Sequence, residues 1–118
     1  MLAQYLDLAP QLQADNLGYV IIDVSNYDYT LIQPIGADVS KVECSIDGGD
    51  ITGVTDGNAT SATNFYAAAG ITVSDGVTYV NSITSTRTVR FPVVGRYLKI
   101  TASPTSMNKL LVMLAKIS

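Results

Sequence analysis

The stretch Arg90-Phe91-Pro92-Val93-Val94-Gly95-Arg96-Tyr97-Leu98-Lys99-Ile100-Thr101 decides the fold. Ahead of the hinge, Val89, Phe91 and Val93 read as core-facing, and Arg90 points away from them. Beyond it, Leu98, Ile100 and Ala102 face in while Tyr97, Lys99 and Thr101 face out. A period of two is the mark of a strand. Pro92 has no N–H to give to a ladder, and Gly95 tolerates backbone angles that other residues avoid. The segment therefore predicts two strands separated by a break. It also holds three of the seven basic residues, Arg90, Arg96 and Lys99.

Working outward, the same style recurs. Tyr19 to Val24 is β-branched and nearly continuous, as a well-buried strand is. Tyr27 to Gln33 alternates, with Tyr27, Tyr29 and Leu31 on one face, and Pro34 and Gly36 close it. From Val39 to Ile46, Val42, Cys44 and Ile46 oppose Lys41, Glu43 and Ser45, a half-buried antiparallel strand. Asp47-Gly48-Gly49-Asp50 reads as a hairpin turn, Ile51 to Val54 as the returning strand, and the segment to Asn64 as a surface loop. Phe65 to Ala69 fits a strand better than a helical turn. Val77 to Ile83 is a further strand after the Asp75-Gly76 turn. Lys109 to Ile117 is apolar between and beyond its two lysines and predicts a fully buried last strand. About eight short strands with frequent turns indicate an all-β antiparallel sandwich, of jelly-roll type. Helical periodicity is weak in residues 1–17: Leu2, Tyr5 and Leu6 can share a face, and Pro10 is expected to end any helix early. These residues are expected to form an N-terminal arm or a short helical turn ahead of a single domain spanning 18–118.

Composition narrows the function classes. The chain has 118 residues, enough for one domain with a core that needs neither metal nor disulfide. Charged residues are 14% against a typical ~25%, and mean hydropathy is +0.27. Charge-poor surfaces are common where proteins meet each other. The net charge of −3 disfavours nucleic acid. Its distribution is uneven: residues 1–75 hold ten acids and one base, a balance of −9, and residues 76–118 hold six bases and no acid. That split is read either as internal neutralisation or as two complementary faces that steer assembly. No apolar run approaches ~20 residues and no signal-peptide pattern opens the chain, so neither membrane insertion nor secretory export is expected.

Catalysis is not expected. The sequence has no His, which removes the usual base, metal ligand and triad member. Glu43 is the one Glu, and most Asp residues sit beside Gly or Asn, where turn-making explains them. Asp47, Asp50, Asp56 and Asn58 are hard-oxygen groups that suit Ca²⁺, yet no Glu closes an EF-hand loop, and no metal or other cofactor is expected. The single cysteine, Cys44, reads as a buried small hydrophobe. Seven tyrosines against two phenylalanines leave aromatic groups for a partner or, in the absence of Trp, less aptly for a glycan. The candidate partner-binding residues are Tyr5, Tyr27, Tyr29, Arg87, Arg90, Arg96, Tyr97 and Lys99.

Two resemblances follow. Val42 to Thr52, with its Asp-Gly turn, and the later Phe91 to Ile100 segment resemble the discoidin-type jelly roll of coagulation-factor C domains, which implies a β-sandwich. The family's usual Trp residues are missing. The size, the lack of His and of Cys pairs, the Met start, and the turn-rich style of GYVIIDVSNYDY and SIDGGDITGVTDGN resemble small virion proteins of tailed bacteriophages. That resemblance implies a non-enzymatic capsid decoration (cement) protein on the phage head surface, assembled in the host cytoplasm. Its implied partners are the major capsid protein and copies of itself. The alternatives are a tail or neck component, or a carbohydrate-binding module taking a glycan on a virion or cell surface.

Overall fold

Gly95 has no room for a side chain, because a Cβ there would lie 2.6 Å from the Ser45 carbonyl oxygen. That close approach lets the chain cross from β8 (Val89–Pro92) to β9 (Tyr97–Ala102), and the two strands lie in different sheets. The computed structural model describes residues 2–46 and 65–117. The other elements are β1 (Leu2–Asp7), α1 (Ala9–Asp15), β2 (Tyr19–Asp23), β3 (Tyr29–Ile35), β4 (Val39–Ser45), β5 (Tyr66–Ala67), β6 (Gly70–Thr72), β7 (Tyr79–Val80) and β10 (Lys109–Lys116). The Asp47–Asp50 turn, the Ile51–Val54 strand, the loop to Asn64 and the Ca²⁺ candidates lie outside the described residues.

The fold is all-β and forms a sandwich of two antiparallel sheets. One runs β1-β10-β3-β8-β6-β7 and the other β2-β9-β4-β5. Four pairings are nested, β1 with β10, β2 with β9, β3 with β8 and β4 with β5. The chain is thus a long antiparallel hairpin rolled over on itself, which is a jelly-roll winding. The winding sets an early strand against a late one and interleaves the acidic first part with the basic second part. Glu43 lies opposite Lys99, and Arg96 Nε is 3.2 Å from Asp23 Oδ2. At these two places an acid of the first part meets a base of the second.

Inward side chains of both sheets make one core, centred on Phe91, Ile32, Ile100, Leu110, Val42 and Val89. β2 is buried on both sides, with Val20 and Ile22 in this core and Ile21 in a second, smaller cluster with Phe65 and Tyr97. A register shift between Val39 and Lys41 rephases β4, so Val39 and Val42 both reach the core despite their odd spacing. Asn81 ties β4 to the segment after β5, donating from Nδ2 to the Val42 carbonyl at 2.6 Å and the Ala68 carbonyl at 2.7 Å.

Several expectations are corrected. The segment expected as an arm or a short helical turn carries both β1, paired along β10, and the short α1, whose Ala9 and Leu12 are buried. Pro10 sits in the first turn of α1, where its missing N–H has no helical partner to lose, so it starts the helix instead of ending it. Asn16 closes the helix in the left-handed region at φ 53°. Ile46 is exposed because β4 stops at Ser45. From Val77 to Ile83, only Tyr79–Val80 is strand, with Ile83 in an isolated bridge to Val39. β10 is not fully buried: Leu110, Val112 and Leu114 enter the core, while Leu111 and Met113 lie on the other face and are half-buried.

Candidate interaction surface

The outer face of the six-stranded sheet carries the residues that β10 does not bury. Register places Tyr5 beside Met113, Met113 beside Leu31, Leu31 beside Arg90, Arg90 beside Ile71, and Ile71 beside Tyr79. One row thus crosses all six strands, and Arg90 is its single charge. Tyr5 and Tyr79, at its ends, are 74% and 70% exposed. Cross-strand neighbours sit close enough to form one continuous surface. The adjacent row runs Ala3, Ala115, Tyr29, Pro92. Arg90 is exposed, and its Cζ lies 4.3 Å from the Tyr29 ring centroid, so the guanidinium stacks over the ring. Between β1, β10 and β3 the face dips into a groove of about 290 Å³ lined by Tyr5, Leu31, Gln33, Thr88, Leu111 and Met113. Contiguous exposed apolar patches mark protein or membrane interaction sites or ligand grooves.

The opposite outer face, on the four-stranded sheet, is of a different kind. Lys99 Nζ is 4.4 Å from the Tyr19 centroid and 5.8 Å from that of Phe65. Burial holds Lys99 below the usual lysine range; Glu43 opposes that shift and Lys41 adds to it. Arg96 Cζ is 5.0 Å from the Tyr97 centroid. Tyr97, expected to face outward, does so, but is 8% exposed because Phe65 and Ile21 pack with it. Burial pushes Asp23 up, yet hydrogen bonds from Ser25 and the Arg96 guanidinium outweigh it and hold the carboxyl below its ordinary value. Among the described residues these contacts close the middle of this face, and Arg96 and Lys41 stay exposed at its margin.

The structure therefore divides the eight candidates. Tyr5, Tyr29 and Arg90 share the open face. Arg96, Tyr97 and Lys99 share the closed one. Tyr27 packs against the core and donates from its hydroxyl to Gln4 Oε1 at 2.6 Å. Arg87 follows Thr86, a residue at φ 71°, on the turn before β8. Leu31, Ile71, Leu111 and Met113 were missed as surface residues. Their signal was present: a strand apolar on both faces needs a cover on both.

Cys44 is half-buried against the core, and burial, then Glu43, raise its thiol above the ordinary value. A protonated thiol is a poor nucleophile. Among the described residues, no cluster of three or more His, Cys, Asp or Glu could hold a metal ion. None of their helices is long and apolar enough to cross a membrane.

No protein-family model matches the chain, and no curated protein matches it. Among solved structures, the fold is similar to the crystal structure of the SPBc2 prophage-derived protein YomS. The TM-score is 0.58 at 10% identity, covering 95% of this chain and 91% of that one. At that identity the likeness concerns the fold.

Proposed function

We propose that the chain is a non-enzymatic structural protein of a phage particle, and that it binds the head surface as a decoration protein. The observation that carries this reading is the open row from Tyr5 through Met113, Leu31, Arg90 and Ile71 to Tyr79, an apolar row with a single charge. Such a face suits burial against a protein lattice, here the major capsid protein. The fold's similarity to a prophage-derived protein supports the same setting. A decoration protein stabilises a shell by binding only its assembled state, by an amount set by affinity and concentration.

The test is co-sedimentation with intact heads and with isolated capsid protein. The reading predicts saturable binding to heads at a fixed ratio per capsomer. A chain that never sediments with heads refutes it. Saturable binding to a glycan array, lost on Tyr5→Ala or Tyr79→Ala, with no head binding, points instead to a carbohydrate-binding module.

A further inference from the structure

Among the described residues the two sheets have four edges, and three of them are short or closed. β7 and β5 are two residues each. β2 is sealed, with Val20, Ile21 and Ile22 all buried and Ile21 0% exposed. β1 is six residues long, and Ala3, Tyr5 and Asp7 are all exposed. The Leu8 N–H donates to the Leu110 carbonyl at 2.9 Å, which fixes the phase of the ladder. Even-numbered residues of β1 turn N–H and C=O toward β10, so those of Ala3, Tyr5 and Asp7 point to the open edge. The strand has none of the devices that guard such an edge: no Lys, no Pro and no bulge. Its one charge is turned back, since Asp7 Oδ1 accepts from the Ala9 N–H at 3.1 Å and the Leu110 N–H at 3.0 Å.

We propose that two copies of this chain pair through β1, antiparallel, about a two-fold axis at Tyr5. Each Tyr5 then faces the other, and each Ala3 faces the opposite Asp7, so the strand is its own complement. The three outward N–H groups of each copy make roughly six backbone hydrogen bonds in this register. Residues directly opposite share a face, so the apolar row that ends at Tyr5 continues without a break into the second copy. Size argues for the same occupant. One face measures roughly 24 Å by 20 Å at ordinary strand spacing and rise. That is about half of the ~800 Å² per partner of a standard interface, and the dimer doubles it. The size argument rests on the docking reading above; the edge and its phase do not.

Sedimentation velocity from micromolar to submillimolar concentration tests the proposal. The chain is expected to move reversibly from 12.5 kDa to twice that mass. Tyr5→Pro removes an N–H that faces the open edge and leaves the β1–β10 ladder whole, so it is expected to stay monomeric with unchanged thermal stability. Tyr5→Lys, which keeps the N–H and adds a repelling charge pair, is the second variant and gives the same result. On a Cys44→Ser background, Tyr5→Cys is expected to cross-link on mild oxidation, because opposed Cα atoms ~5.5 Å apart suit a disulfide. Ala3→Cys, which faces Asp7, is not. A wild type that stays monomeric throughout, a dimer that survives both Tyr5 variants, or cross-linking by Ala3→Cys in place of Tyr5→Cys overturns the proposal. A dimer that never binds heads refutes the decoration reading and leaves this one standing, and a head-binding monomer does the reverse.

Discussion

Thr30 is the polar intruder in an apolar core, and replacing it with Val is expected to stabilise the protein. Thr30 is 1% exposed, lies opposite Leu114 and Phe91, and its Oγ1 is buried with no hydrogen-bond partner among the described residues. A buried hydroxyl left unpaired costs about 1–3 kcal/mol. Val has nearly the same shape and keeps the β-branch that suits a strand. It also adds a buried methyl worth about 0.8 kcal/mol. Part of the sum is lost to repacking around Phe91, which leaves about 1–2 kcal/mol of expected gain. In urea, the midpoint of Thr30→Val is expected to rise by about 0.5–1 M at an unchanged slope. The melting temperature is expected to rise by about 4–8 °C. A loss of about 0.5 kcal/mol or more refutes the reasoning, since it means that the hydroxyl is satisfied and that its bond is worth more than the methyl.

Two further outcomes concern the turns. Gly95→Ala is expected to cost about 1–3 kcal/mol, because the new methyl group meets the Ser45 carbonyl and the neighbouring backbone must shift; chemical denaturation checks this. Asp75 accepts from the Thr72 hydroxyl at 2.5 Å, from the Val77 N–H at 2.9 Å and the Thr78 N–H at 3.0 Å, and from the Thr78 hydroxyl. These bonds hold its carboxyl well below the usual range. A carboxyl depressed in the folded state stabilises above its unfolded value of ~3.9, and that contribution fades as pH falls toward the folded value. The stability gap between wild type and Asp75→Asn is therefore expected to be constant near neutral pH and to narrow below about pH 4. A gap that stays constant down to pH 2 refutes this.

Much of the sandwich is written locally. The alternation on each side of Gly95 follows from period two and the run after Gly18 from its continuous β-branched residues, and both are strands; β4 is a strand too, although a register shift breaks its period. The Pro/Gly hinge reads as a break between strands. That the break also changes sheets is not legible, because it depends on which distant strand each partner meets. The nested pairing of β1 with β10 joins residues more than a hundred positions apart, and nothing local encodes it. Pro10 is ambiguous in sequence because proline has two opposite meanings, a stop inside a helix and a start at its first turn. Leu111 and Met113 were misplaced for a more informative reason. A continuous apolar strand implies two covered faces, and in this chain the second face is only half-covered by its own neighbours. Sequence thus points to burial, and the fold leaves part of that face half-exposed.

The most direct test is the head affinity of a Leu111→Ser, Met113→Ser double variant, measured beside wild type after circular dichroism has confirmed the fold. Both side chains lie outside the main core, so the sandwich is expected to persist. If the outer face of the six-stranded sheet is the docking surface, binding is expected to weaken at least about 30-fold, the cost of losing hot-spot contacts of about 2 kcal/mol. Binding of the folded variant within about twofold of wild type, a difference below ~0.5 kcal/mol, contradicts the assignment of that face.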